Sequence, residues 1–421
     1  MTVCGLDFGT SNSAVALPSG EVLRIDPSAE QARLFRSVLF FPEDSPETLA
    51  GHEAIERYQE DNSGRFIQSM KTWLPSTSFS KTIIRGKPYA LDELIAVFLR
   101  RLRAQASEAC GEAVTEVVMG RPARFSTDPA TDAFAQERLR SAASLAGFES
   151  VRFLIEPIAA ALTYEATLKR DELVLVADFG AGTTDLTLMW LGPSHRTNPD
   201  RRVDVVASGG VYVGGDRFDA AIMKNKLLTY FGQGSTYEVG FKRMPMPTYV
   251  LGRLLSWHEM SLIREKSTRE LIDQMLKTGD KKDAIKALHD LVMYNLGYRL
   301  FRAIERAKVE LSTKNKSVIE FDEERIHVRE AITRDEFERY SGGLIEELEA
   351  CTDAVLEKVP SQLKIDSVFL TGGSSQIPAV RKLFARKFGE ERLRSGDAFT
   401  SVCEGLGRGA AEGFALSDAE P

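Results

Sequence analysis

Two short stretches carry the residue types that polyphosphate chemistry requires. In GLDFGTSNSAV, residues 5–15, an apolar run ends in Asp7, and Gly9, Thr10, Ser11 and Asn12 turn the chain back into a second apolar run. In ADFGAGTTD, residues 177–185, Asp178 is followed by Gly180, Ala181, Gly182, Thr183, Thr184 and Asp185. A strand ending in Asp, then Gly and small polar residues, presents backbone N–H groups in a concave turn that suits phosphate oxygens. A carboxylate beside a bare polyphosphate is repelled, so Asp7 and Asp178 make sense with a divalent cation between them, Mg²⁺ with most of its waters retained. Taken singly, each turn also reads as an ordinary hairpin whose Asp and Gly serve turn geometry. Their occurrence twice in one chain favours the metal–nucleotide reading.

Other phosphate motifs fail on context. The DFG triplet invites a protein-kinase reading, but the chain holds no GxGxxG loop, VAIK strand or HRD loop, and a P-loop would need the absent GxxxxGK[ST].

The elements that must hold these turns follow from composition and periodicity. A chain of 421 residues with 43% hydrophobic and 27% charged residues reads as a soluble globular protein of two or three domains. With 54 basic against 61 acidic residues and no long basic stripe, neither nucleic acid nor a membrane is expected as a partner. Cys4, Cys110, Cys351 and Cys403 show neither CxxC nor metal spacing and read as buried thiols. The amino terminus reaches an apolar strand by Val3 without a signal-like lead, and no later run approaches membrane-spanning length, so a cytoplasmic protein is expected.

Strand-like runs at 2–8, 13–17, EVLRI (21–25) and SVLFF (37–41) suggest a short meander. Leu91, Leu94, Ile95, Phe98, Leu99 and Leu102 mark a helical face, EVVMGRPA a buried strand, and 134–148 a helix. VRFLI leads into a helix with Pro157 in its first turn. After the charged break at 169–172 the strand–turn–strand unit recurs. The strand VDVVASGG, a long helical stretch from about 249 to 311, and a strand–glycine turn–helix at 367–388 follow. Two lobes opening on the same unit imply an internal duplication.

In order along the chain, GLDFGTSNSAV, FIQSMKTWL, IEPIAAALTY, ADFGAGTTD, GGVYVGGDRFD, ERAKVELS and TGGSSQIP make it resemble the nucleotide-binding domain of heat shock protein 70 family chaperones, within the actin-like ATPase superfamily. The sequence given continues only briefly past GLGRGAAEGFAL, and so is similar to short YegD-type members without a peptide-binding domain. The resemblance implies an α/β, two-lobed actin-like ATPase fold with duplicated ribonuclease H-like lobes around a nucleotide cleft. Residues 1–168 would form lobe I, with a helix at 398–416 returning to it. Residues 169–397 would form lobe II, with a helical subdomain at about 225–311. It also implies Mg-ATP binding, slow ATP hydrolysis with lobe closure as its output, and a chaperone role in protein folding. Unfolded or specific client proteins and co-chaperones would be partners, without a grip on extended peptides. A small-molecule kinase and a filament-forming ATPase are the alternatives on the same fold.

By the same resemblance, Gly9, Thr10, Ser11 and Asn12 form the first phosphate turn and Gly180, Ala181, Gly182, Thr183 and Thr184 the second. Asp7 and Asp178 hold hydrated Mg²⁺, Thr183 and Asp185 orient the attacking water, Lys71 reaches the terminal phosphate, and Glu156 belongs to the hydrolytic site. Read from its neighbours alone, Lys71 is a surface lysine, and Glu156 is an acid stabilised at a helix N-terminus by about 0.3–1 kcal/mol. Gly214, Gly215 and Asp216, then Glu305, Lys308 and Ser312, and Gly372, Gly373, Ser374 and Gln376 contact the nucleotide. Without the resemblance, Glu305, Lys308 and Ser312, at i, i+3 and i+7, are a solvated ion pair on one helix face. Pro122 matches the family's relay proline, and the relay arginine is Arg138 or missing.

The two arginines that sandwich adenine in the family fall on Val309 and Gln376. With guanidinium stacking lost on both sides, ATP and GTP are expected to bind within about tenfold, 1.4 kcal/mol, of each other. Competition of unlabelled GTP against labelled ATP measures the ratio, and a preference beyond about a hundredfold would overturn this expectation.

Overall fold

The computed structural model describes residues 2–26, 32–61, 63–79, 81–198, 200–256, 259–263, 265–323 and 325–413. The chain divides into two units. The first holds residues 1–212, 348–376 and 381–421, and the second holds 213–347 and 377–380.

The first unit contains two five-stranded sheets of the same plan. In the first, Thr2–Phe8 pairs antiparallel with Asn12–Ala16, which pairs antiparallel with Phe35–Arg36. On its other side Thr2–Phe8 pairs parallel with Val114–Arg121, and that strand parallel with Ser150–Ile155. In the second sheet, Glu172–Phe179 pairs antiparallel with Thr184–Leu191, which pairs antiparallel with Val205–Val211. Glu172–Phe179 also pairs parallel with Ser367–Thr371, and that strand parallel with Leu393–Ser395. The expected duplication is therefore present strand for strand. Each fifth strand is followed by a helix, Glu156–Glu165 and Ser401–Glu412.

Parallel strands covered on both faces need near-continuous apolar runs, and these have them. Val117 and Met119 face one core with Leu6, Phe8, Phe98 and Leu139, under the Leu91–Cys110 and Pro129–Leu145 helices. Val118 and Leu154 face the other, with Ile158, Val174, Val176, Met189 and Leu406. This second core lies between the sheets and is filled by the two symmetry-related helices.

Those helices meet through small residues. A Cβ on Gly405 would lie 1.7 Å from the Ala159 carbonyl oxygen, and one on Gly407 would lie 2.3 Å from the Leu17 carbonyl oxygen. A Cβ on Gly5 would lie 2.3 Å from the Gly407 nitrogen, so the first strand touches the helix backbone directly. Ser401–Glu412 thus packs against the first sheet; of the helix expected at 398–416, residues 414–416 lie outside the described residues.

The early meander differs from expectation. EVLRI forms only a bridge, Ala16 to Val22, because the Leu17–Glu21 and Gly20–Leu17 backbone hydrogen bonds turn the chain tightly and pairing lapses beyond it. Val38–Pro42 leaves the first sheet for a three-stranded one, between Leu49–Ala50 and Gly64–Gln68. Cys4 and Cys403 are buried, Cys110 and Cys351 half-buried, and all four are free thiols.

The second unit is built mainly of helices, among them Gly215–Ile222, Lys266–Thr278, Lys282–Met293 and Gly297–Thr313, with the hairpins Thr236–Val239/Lys242–Pro245 and Lys316–Glu323/Ile326–Thr333. Leu300, Ile304, Ala307 and Leu311 form the buried stripe of Gly297–Thr313, as their spacing predicts.

The Gly405–Ala159 contact leaves no room for a methyl group, so Gly405→Ala is expected to lower stability by about 3 kcal/mol through overpacking. Gly252→Ala, in the Thr248–Arg253 helix with nothing within 4 Å of the added carbon, is expected to be neutral or to gain about 0.5–1 kcal/mol. Thermal denaturation of both variants checks this contrast.

Candidate functional site

The two repeated turns lie at the same ends of equivalent strands, and the first unit brings five charged side chains together there. Gly9 is required at its turn: a Cβ would lie 2.0 Å from the Asn12 carbonyl oxygen. Thr10, Ser11 and Asn12 are half-buried, and Asn12 Oδ1 accepts a hydrogen bond from Arg36 Nη1 at 3.1 Å. The second turn closes with Gly180 N–H donating to the Thr183 carbonyl at 2.9 Å. Gly180 is exposed, Ala181, Gly182 and Thr183 half-buried, and Thr184 is buried at the start of its strand opposite Phe179.

The copies differ in one respect that bears on chemistry. Asp7 stands across its hairpin from Ala14, whereas Asp178 stands directly across from Asp185. Like charges directly opposite destabilise an antiparallel pair, so the second turn holds an acid that folding alone disfavours. Thr183 Oγ1 donates to Asp185 Oδ2 at 3.3 Å.

Lys71 and Glu156 complete the group. Lys71 Nζ donates to Glu156 Oε1 at 2.6 Å, with side-chain exposures of 11% and 12%. Lys71 lies on a single 3₁₀ turn, Met70–Trp73, entered through Ser69 at φ 52°. That left-handed conformation costs a residue with a side chain about 1–3 kcal/mol. Ser69 is fully buried, and its hydroxyl has no partner among the described residues. The segment after the turn is gripped by Arg138, whose guanidinium donates to the carbonyls of Trp73, Leu74, Ser76 and Phe79 at 2.9–3.2 Å. Spacing alone left Arg138 ambiguous, because its acceptors are backbone atoms about sixty residues away.

Four carboxyl groups around one ammonium disfavour one another's ionisation. Burial, then the Glu156 charge, push Asp7 up to about 7, with Lys71 pulling the other way. Burial and Glu156 likewise push Asp185 up to about 7, and burial, Glu156, Asp185 and Asp7 hold Asp178 well above the usual carboxylate range. Burial disfavours the Lys71 ammonium, but Glu156, Asp7 and Asp178 outweigh it and hold its pKa above the ordinary value. Such a donor set fits a hydrated divalent cation carrying its own waters, whose charge would let the crowded acids ionise together.

The third glycine segment sits at the same end of the second sheet. Thr371 is register partner to Asp178, and Gly372, at φ 83°, approaches so closely that a Cβ would lie 2.2 Å from the Phe179 carbonyl oxygen. Gly373 is half-buried, Ser374 buried and Gln376 exposed.

The remaining residues belong to the second unit. Gly214, extended at φ −149°, precedes Gly215 and Asp216 at the start of the Gly215–Ile222 helix. Lys308 is not the solvated surface lysine its spacing suggests. Lys308 Nζ donates to Asp219 Oδ2 at 2.8 Å and to the Gly215 carbonyl at 3.2 Å, while Glu305 pairs with Arg302. Lys308 turns inward because Asp219 is buried there; burial pushes Asp219 up to about 6 although Lys308 lowers it. Ser312 is half-buried and Val309 is 60% exposed.

The profile of the Hsp70 protein family matches residues 77–246 and 265–411. The chain belongs to the Hsp70 family. Its α/β architecture is the two-lobed, actin-like ATPase fold with duplicated ribonuclease H-like lobes. Among curated proteins it is similar to chaperone protein DnaK of Thermosipho africanus (strain TCF52B), at 30% identity over 417 residues, 96% of this chain. The chain spans 58% of the length of that Hsp70 relative. No described helix is long and apolar enough to cross a membrane.

A carboxylate whose pKa rises on folding binds a proton in the native state that the unfolded chain has released, so stability falls as pH rises between the two values. For Asp7 and Asp185 that window runs from 3.8 to about 7. Asp7→Asn and Asp185→Asn are therefore expected to stabilise the ligand-free protein by on the order of 1–4 kcal/mol above pH 7 and by little near pH 4. Thermal denaturation at pH 4.5 and 8 tests this; equal gains at both would point to a cause other than titration.

Proposed function

We propose that this Hsp70 family protein binds Mg-ATP and hydrolyses it slowly, acting as a chaperone or chaperone-like nucleotide switch. The observation that carries the reading is the grouping of Asp7, Lys71, Glu156, Asp178 and Asp185 beside two duplicated glycine turns. The turns Gly9–Asn12 and Gly180–Thr184 bind phosphate oxygens through backbone N–H groups other than that of Gly180, which is spent on the Thr183 carbonyl. Asp7 and Asp178 would hold Mg²⁺ through its waters and so supply positive charge beside the phosphates. Lys71, kept protonated by its acidic neighbours and poised by Glu156, supplies a positive charge at the terminal phosphate. Asp185, aligned by Thr183, accepts a hydrogen bond from the attacking water and holds it in line.

Gly214, Gly215, Asp216, Glu305, Lys308, Ser312, Gly372, Gly373, Ser374 and Gln376 are proposed as the nucleoside-binding residues, and residues 1–168 and 169–397 as the two lobes. The similarity to chaperone protein DnaK supports a chaperone context, and on that reading unfolded or specific proteins would be clients, co-chaperones regulators and the cytoplasm the location. Family membership weighs against the small-molecule kinase and filament readings.

Titration calorimetry of ATP with and without Mg²⁺, together with single-turnover hydrolysis, tests the assignment. Asp7→Asn and Asp178→Asn are expected to weaken Mg²⁺-dependent binding, since each removes a charge from the cation's outer shell while preserving shape. Lys71→Ala and Glu156→Gln are expected to slow hydrolysis by about a hundredfold or more. Unchanged Mg²⁺ dependence in both Asn variants would refute the shared-cation role.

A further inference from the structure

At the carboxyl end of the second sheet, the parallel strands Glu172–Phe179, Ser367–Thr371 and Leu393–Ser395 lie side by side. The first ends in the Asp178 turn, the second in the Gly372 turn, and the third leads to Phe399. Phe399 is a large aromatic residue, yet 44% of it remains exposed. It is held there by specific contacts. Asp397 Oδ1 accepts the Phe399 and Thr400 backbone N–H groups at 2.9 and 3.2 Å, and the Asp397 carbonyl accepts the Ser401 hydroxyl. One edge of the ring rests on Gly373, where a Cβ would lie 2.9 Å from Cε1 and 3.4 Å from Cζ, so any side chain there would displace it.

A flat apolar surface left open beside a phosphate turn suits the heterocycle of a nucleotide. In α/β sheets, ligands bind outside the carboxyl ends of the strands. Two strand spacings, about 10 Å, separate the phosphate turn from the strand leading to Phe399, roughly the span from a nucleotide's phosphates across its ribose to its base. Gln376, exposed on the same glycine segment, offers no planar cation to that region.

The geometry points to Phe399 as the residue on which the nucleotide base stacks, with Gly373 kept small so that the ring can take up its position. This inference rests on the nucleotide-binding reading above and names the recognition element of that same site. Stacking on a phenyl ring tolerates any purine and is stronger for purines than for the smaller pyrimidines, because it depends on overlapping area rather than on hydrogen-bond edges. The site therefore selects purine nucleoside triphosphates as a class.

The test is calorimetric binding of ATP, CTP and inorganic tripolyphosphate, each with Mg²⁺, to the wild-type chain, Phe399→Ala and Phe399→Trp. Phe399→Ala is expected to weaken ATP by about tenfold, 1.4 kcal/mol, to narrow the gap between ATP and CTP, and to leave tripolyphosphate unchanged. Phe399→Trp is expected to keep ATP affinity, and its indole fluorescence should be quenched by ATP but not by tripolyphosphate. Wild-type ATP affinity in Phe399→Ala, or a Trp signal indifferent to ATP, would overturn the stacking role while leaving the nucleotide reading intact. A wild-type chain that binds neither ATP nor tripolyphosphate would overturn both.

Discussion

Concentrated negative charge is the condition around which the first unit is organised. Asp7, Asp178, Asp185 and Glu156 are gathered with Lys71 as counter-charge, and burial, reinforced by the repulsion from Glu156, holds three of the acids well above the usual carboxylate range. Left to relax, such a group would spread until its charges were solvated. It stays together because each acid is fixed to a rigid element: Asp7, Asp178 and Asp185 to paired strands, and Glu156 to the first turn of a helix whose second residue is Pro157. Lys71 alone comes from an irregular segment, and that segment is secured by a strained serine on one side and the Arg138 clamp on the other.

The two sheets can hold the acids in mutual range only if their separation is fixed. The helix pair between them provides this by backbone-level contact: where Gly405 meets Ala159 and Gly407 meets Leu17, the backbones touch with no side-chain rotamer between them to adjust the distance. Interiors packed in this way transmit position rather than absorb it. The glycines of Ser401–Glu412, poor helix formers by propensity, are explained by this requirement more readily than by anything local.

The sequence made the repeated turns, the parallel apolar strands and the helical stripes legible because each leaves a periodic or punctuated pattern within about twenty residues. The duplication could be read for the same reason, since both Asp–Phe–Gly turns stand in matching surroundings. What escaped was decided by tertiary context. EVLRI has strand composition, but a tight turn before it leaves a single bridge. Lys308 reads as a surface partner of Glu305 until the fold buries Asp219 beneath it. Arg138 resembles any helix arginine, because its four acceptors are carbonyls far away in sequence. Phe399 carries no motif, and its place emerges only when three strand ends are seen together.

The contact between Gly5 and Gly407 joins the first strand to the Ser401–Glu412 helix, which closes the same sheet, across nearly the whole length of the chain. At about 5–20 residues per second of synthesis, the inner face of the first sheet waits roughly 20–80 s on the ribosome before its covering helix exists. For that interval the face carrying Val118 and Leu154 lacks Val402, Leu406 and Ala410, the residues of that helix that bury it. A chain assigned to a chaperone family thus passes through a long, sticky adolescence of its own. The docking of residues 401–412, among the last described residues to be made, completes the core between the sheets.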